Sequence, residues 1–180
     1  MSFKSRGLRG SSLEEYINHT NEYYRKEHLA LIQKIPTPIT PVNIDKDSRH
    51  ITLAYFDKKS TVDYIGVVQG IPVCFDAKEC KTDTFPLQNI HRHQLDFMRD
   101  FEEQDGISFF LIYFSTRDEY YYLTFDLAES FWERGAELNG RKSFRINELD
   151  SDFFFESEAE AMVPYLDMIQ KDLDRRFGKD

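Results

Sequence analysis

Apolar positions along the chain switch between helical and strand spacing, and the switches divide it into elements. Leu13, Ile17, Thr20 and Tyr24 recur every three or four residues and predict a first helix. Glu14, Asn18 and Asn21 lie along the border of that stripe, while Glu15, His19, Glu22 and Lys26 face water. Ser11 and Ser12 open the helix, because Ser11/Glu14 and Ser12/Glu15 both have capping-box spacing. His28 to Ile35 reads as a short strand. Three prolines at alternate positions, Pro36, Pro38 and Pro41, favour an extended backbone. A polar turn over Asp45-Lys46-Asp47-Ser48 and an alternating run from Ile51 to Phe56 complete a projecting hairpin, a stalk over about 36–59.

Thr61 to Val68 and Ile71 to Lys78 are two strand-like runs separated by Gln69-Gly70, a two-residue hairpin turn. Thr84 to Gln104 is read as one helix with Pro86 near its first turn and Leu87, Ile90, Phe97 and Phe101 on one face. Ile107 to Phe114 and Tyr120 to Phe125 form a second strand pair, turned at Thr116-Arg117-Asp118. Asp126 is expected to cap a helix running to about Leu138, which Asn139-Gly140 ends. Residues 156–177 are acidic and helical in their later part, with Pro164 at an early turn. These elements predict one α/β domain spanning 1–180: a mixed, largely antiparallel sheet, flanking helices and the stalk.

Composition narrows the class. The 180 residues are 41% hydrophobic and 15% aromatic, enough for a real core. The longest apolar run, Ile107 to Phe114, is far short of the ~20 residues a membrane helix needs. MSFKSRGLRG lacks an apolar signal-peptide core, and Cys74 and Cys80 make no disulfide framework, so a cytoplasmic protein with reduced thiols is expected. The formal charge of −9 argues against loose nucleic-acid binding. It is unevenly spread, however: residues 1–60 carry 10 basic and 7 acidic side chains, and each later third is net −6. Residues 150–172 hold Asp150, Asp152, Glu156, Glu158, Glu160, Asp167 and Asp172 against Lys171 alone, a segment that faces solvent or a protein partner.

The first hairpin after the stalk carries the chemistry. If Gln69-Gly70 is the turn, Val68 faces Ile71 and Asp63 faces Asp76, placing two carboxylates ~5 Å apart at Cβ. Cys74, Asp76 and Lys78 then share one face. Facing like charges are destabilising unless offset, and a divalent cation would offset them. Two carboxylates, Mg²⁺ and a lysine suit phosphodiester hydrolysis; the same pattern also fits a plain salt-bridge cluster on a wet face. Gln94 interrupts an apolar stripe, and a buried amide needs partners. His91 and His93 are expected on different sides of their helix, and Tyr120–Tyr122 and Phe153–Phe155 in the core or an interface.

The chain resembles the RecU family of Holliday-junction resolvases. The matching stretches are Arg6-Gly7, LEEYINHTNEYY (13–24), Pro36-Thr37-Pro38, AYFDKKSTVDYIG (54–66), FDAKE (75–79), FPLQNIHRHQ (85–94), DGISFFLI (105–112), FWER (131–134) and NGRKSFR (139–145). The resemblance implies a restriction-endonuclease-like PD-(D/E)XK core and a homodimer that nicks four-way DNA junctions symmetrically with Mg²⁺, Mn²⁺ being the alternative ion. It implies Asp63 and Asp76 as metal ligands with Thr61 beside them, Lys78 as the catalytic lysine, Glu14 as an accessory acid and Gln94 as a supporting group. Lys46, Arg49, Lys58, Lys59, Arg6 and Arg9 would meet DNA, with recombinase and branch-migration proteins as further partners and no membrane. Asp76 stands where that family usually carries Glu. A repair nuclease of other substrate preference and a junction-holding module without cleavage are the competing readings.

Overall fold

The computed structural model describes residues 11–56 and 61–178, with backbone alone for Ser11 and Ser12. Helix α1 (Ser11–Lys26) leads into β1 (Ala30–Lys34), the ribbon β2 (Ile39–Asp45) and β3 (His50–Phe56), and then β4 (Tyr64–Val68) and β5 (Ile71–Cys80). Short β6 (Thr84–Pro86), α2 (Arg92–Glu102), β7 (Ile107–Phe114), β8 (Glu119–Thr124) and α3 (Phe125–Ala136) follow. The chain closes with β9 (Ser143–Arg145), β10 (Phe154–Phe155) and α4 (Leu166–Arg176). The main sheet is mixed, in the order β1-β4-β5-β7-β8-β10, with β5 and β7 parallel and the other pairs antiparallel. Helix α2 lies in the crossover between the parallel strands, a connection that antiparallel hairpins do not need.

The predicted register holds. Gln69 and Gly70 both have positive φ, 48° and 91°, which two-residue turns of the primed type require, and Val68 pairs with Ile71. Gly66 lets β1 approach β4, since a Cβ there would run into the Leu31 carbonyl. The β5 strand is buried on both faces from Val73 to Asp76, so Asp76 itself lies away from water, while Asp63 and Lys78 are partly buried.

One sheet face is an aromatic series: Tyr64, Phe75, Phe109 and Tyr122 stack from strand to strand at 4.7, 4.8 and 4.4 Å between ring centroids. Phe153 continues it beside Tyr122, and Tyr165 packs over Phe75. Helix α1 closes over this face through Tyr24, edge-on to Tyr165, and through Thr20 Oγ1, which accepts the Val163 amide at 2.9 Å. The opposite face carries Cys74, Asp76 and Ser108, with α2 against it; Ser108 donates its hydroxyl to the Met98 carbonyl at 3.2 Å.

Three expectations are corrected. Residues 84–104 are not one helix: Thr84–Pro86 pair with Ser143–Arg145, Phe85 stacks on Phe144, and α2 begins only at Arg92. The buried face of α2 is therefore Gln94, Leu95 and Met98, with Phe97 and Phe101 half-buried. Thr124, not Asp126, caps α3 by accepting the Leu127 amide, and the helix ends at Ala136. His91 is the residue before α2 and follows no helical phase, so its ring stacks on His93 at 5.4 Å and 12° rather than pointing away.

The acidic segment is partly neutralised from within. Arg175 pairs with Asp150 and Asp152. Asp172, 4% exposed, accepts the Tyr122 hydroxyl at 3.0 Å and the Arg176 guanidinium at 2.9 Å. Arg176 also reaches Glu102, whose carboxylate accepts the Ser108 amide at 2.6 Å. This network fastens α4 to α2, β7 and β8.

Removing one member of a buried ion network leaves the others unpaired. Asp172→Ala is expected to lose about 3 kcal/mol and lower the melting temperature by about 10 °C. Asp172→Asn, which keeps an acceptor for Tyr122, should lose less. Paired thermal denaturation curves check the order.

Candidate active site

Asp63 lies just beyond the last β4–β5 pair, Tyr64 with Phe75, in the position where its register partner is Asp76. Its place is fixed twice. The Asp63 carbonyl accepts the Ile35 amide at 2.7 Å, and its carboxylate accepts the Ala77 amide at 3.0 Å. The side chain thus takes a β5 amide that a longer β4 would have met with backbone.

Asp76 is 1% exposed. Its Oδ1 accepts the Gln94 amide at 2.7 Å, while Oδ2 has the Lys78 ammonium 2.5 Å away and no aligned hydrogen-bond donor. Gln94 cannot turn around. Its carbonyl oxygen accepts the His91 backbone amide at 3.1 Å, closing a capping box at the start of α2, so its NH₂ group must face Asp76. The same oxygen also accepts from Lys78 at 3.4 Å. Burial pushes the Asp76 carboxyl up to about 7; Lys78 pulls it back, and Asp63 adds to the rise through its charge and a shared hydrogen bond.

The structure thus brings together Asp63, Asp76, Lys78 and Gln94. Glu14 is on the first turn of α1, paired with Lys34 at the end of β1. Tyr64, next to Asp63, reaches the same helix: its hydroxyl donates toward Asn18 Oδ1 at 3.1 Å, with the Glu14 carbonyl at 3.4 Å. Burial raises the phenol's pKa, and the charges of Glu14, Asp63 and Asp76 raise it further. Thr61 is half-buried two residues ahead of Asp63. Lys46 and Arg49 sit in the turn between β2 and β3, where Asp45 holds the backbone by accepting the Asp47 amide. Arg6, Arg9, Lys58 and Lys59 lie outside the described residues. Sequence reasoning missed the parts played by Tyr64, Asn18 and Lys34, and no local pattern announces them; the capping spacing from His91 to Gln94 was the readable signal for the amide lock.

A hard divalent cation fits this donor set. Two carboxylates converge, one with a buried oxygen that has no aligned hydrogen-bond donor, and Mg²⁺ completes its shell with water and substrate oxygens. Among the described residues no group of three or more His, Cys, Asp or Glu side chains is placed to hold a metal by itself.

Burial makes the charge on Asp76 costly, and Lys78 offsets only part of that cost. Below about pH 7 the folded protein keeps Asp76 protonated, whereas the unfolded chain ionises it above 3.8, so stability falls as pH rises between these values. Asp76→Asn is expected to raise the melting temperature of the metal-free protein at pH 8 and to leave it nearly unchanged at pH 4. Thermal denaturation in EDTA at both pH values checks the sign.

Comparison with known proteins adds a lineage to this geometry. The family model for RecU, recombination protein U, matches residues 8–171. The Holliday junction resolvase RecU of Bacillus subtilis (strain 168) is 44% identical over 146 residues, covering 79% of this chain and 69% of that protein. The Holliday junction resolvase RecU of Staphylococcus aureus (strain JH9) is 45% identical over 147 residues, covering 79% and 70%. With a family match running from α1 into α4 through every residue of the carboxylate site, this chain belongs to the RecU family.

Proposed function

We propose that this protein is a divalent-metal-dependent endonuclease with a PD-(D/E)XK core that nicks four-way DNA junctions, and that it works in the cytoplasm as a homodimer. The observation that carries the reading is the buried Asp76 carboxylate, facing Asp63 and paired through Oδ2 with Lys78. Membership of a family whose curated members are named Holliday junction resolvases supports the substrate.

Asp63 and Asp76 hold the ion, Mg²⁺ or Mn²⁺, beside Thr61. When bound, it lowers the pKa of a water and draws charge from a phosphate. Gln94, locked by the His91 amide, keeps Asp76 oriented with Oδ1 occupied and Oδ2 turned toward Lys78. Lys78 moves from that carboxylate to the phosphate as negative charge builds there. Glu14 acts from α1 as an accessory acid. The short reach of Asp76, where the family usually carries Glu, is met by a site that comes close: β5 is pinned through the Ala77 amide to Asp63.

The ribbon of β2 and β3 is the stalk. It forms a sheet of its own, apart from the main one, and Ile39, Val42, Ile44, Ile51, Leu53, Tyr55 and Phe56 on it are 48% to 77% exposed. Such a two-stranded ribbon is marginal alone, which supports a second copy or a junction against its apolar flanks. Lys46 and Arg49 at its turn meet phosphate, with Lys58, Lys59, Arg6 and Arg9 as further contacts, and recombinase and branch-migration proteins as companions.

Cleavage of a mobile four-way junction in Mg²⁺ tests the reading. Paired symmetric nicks are expected, with linear duplex spared. Asp63→Ala, Asp76→Ala and Lys78→Ala should each lose at least about 100-fold in rate while still binding the junction in Ca²⁺. An Asp76→Ala variant that cuts normally removes the site assignment; junction binding by the wild-type protein without nicks favours a holding module. Lys46→Ala and Arg49→Ala should each weaken binding and flatten the salt dependence of log K by about 1 in slope. Binding isotherms across a salt series measure it.

A further inference from the structure

Tyr64 is chemically inert in the reading above, and yet it joins the strand that carries Asp63 to the helix that carries Glu14. It follows Asp63 in the chain and pairs in register with Phe75, the residue before Asp76. Its ring is fully buried and stacked on Phe75 at 4.7 Å and 13°. At its far end the hydroxyl meets α1 at Asn18 Oδ1, 3.1 Å away, and at the carbonyl of Glu14, 3.4 Å away. One end of this side chain is therefore the backbone of the carboxylate pair, and the other is the helical turn that presents Glu14.

We infer that Tyr64 is a positioning residue that sets the distance between Glu14 and the Asp63/Asp76 pair. The inference rests on the role given to Glu14 in the proposed function. A stacked aromatic ring does not change length or tilt without breaking its packing, so it fixes the gap more firmly than a flexible chain would. The Lys34–Glu14 ion pair acts from the same side: Lys34 is the register partner of Tyr64 across β1 and β4. Backbone and side chain of Glu14 are both tied to that one cross-strand pair. Helix α1 has a second bond of the same kind, from the Tyr165 hydroxyl to Asn21 Oδ1, one turn further from Glu14. The two bonds share donor and acceptor chemistry and join the same helix to the same aromatic layer, but only the Tyr64 hydroxyl also lies within 3.4 Å of the Glu14 carbonyl.

That pair of bonds supplies its own comparison. Tyr64→Phe and Tyr165→Phe each remove one hydroxyl and keep the ring, so both should lower thermal stability. Tyr64→Phe alone should lower kcat for junction nicking, by about tenfold, with KM within twofold, because partners that orient a metal site typically cost about 10- to 100-fold. Asn18→Ala should act in the same direction. In a Glu14→Gln background, Tyr64→Phe should cost nothing more, since the two changes interrupt one path. Mn²⁺ affinity of the protein without DNA, read from the free-ion electron paramagnetic resonance signal, should weaken for Tyr64→Phe and Glu14→Gln and stay unchanged for Tyr165→Phe. Equal losses in kcat and Mn²⁺ affinity for Tyr64→Phe and Tyr165→Phe overturn the inference, as does full additivity with Glu14→Gln. Wild-type kcat and Mn²⁺ affinity in Glu14→Gln itself overturn the accessory-acid role and this inference with it. A wild-type protein that binds Mn²⁺ but does not nick overturns the nuclease reading alone, and the affinity series then decides the role of Tyr64.

Discussion

A carboxylate almost wholly removed from water, with a second one facing it, is the constraint around which the rest of this protein is arranged. Left alone, Asp76 would stay protonated or open the sheet. Three devices hold it instead. Lys78 supplies charge from the same strand face, Gln94 supplies a directed donor from α2, and Asp63 is held opposite by a β5 amide. Each depends on a different part of the fold: the pleat of β5, the start of the crossover helix, and the overhang of β5 beyond β4. With all three in place, Asp76 Oδ2 faces the Lys78 ammonium without an aligned hydrogen bond, and it is the least satisfied atom of the pair.

The aromatic layer on the far side of the sheet makes this possible. Tyr64, Phe75 and Phe109 stack directly behind the strands that carry the carboxylates. Rings stacked in one direction across four strands resist sliding, and a one-residue slip of β4 against β5 would send Asp63 to the wrong face. The rigidity that the polar face needs is thus supplied by the apolar one. Helix α1 belongs to both, since it closes over the rings and carries Glu14 at its start.

How much of this was readable in the sequence follows from the range over which each feature is specified. The Gln69-Gly70 turn is local and fixes the facing of Asp63 and Asp76, so the carboxylate pair emerged from counting alone. Helix α1, the strand pair β7 and β8 and the β2–β3 ribbon were likewise set by short-range periodicity and turn residues. The segment 84–104 was misread because its first three residues are claimed by β9, nearly sixty positions away, and no helical pattern contains that information. With the helix start displaced, the apolar stripe was placed on Phe97 and Phe101 rather than on Leu95 and Met98. Composition assigns the acidic C-terminal segment to solvent or a protein partner. Its charges acquire partners only in three dimensions, where Arg176 meets both Glu102 and Asp172.

The β2–β3 ribbon separates two kinds of chemistry along one element, charged at the turn, where Lys46 and Arg49 sit, and apolar along the strands. These leave different marks on the thermodynamics of association. Phosphate contact at the turn would release counterions and be read in ionic strength, whereas burial of the strand residues would remove apolar surface from water and be read as a negative change in heat capacity. A calorimeter run at several temperatures and salt concentrations would therefore divide the ribbon's work between its tip and its flanks without altering a single residue.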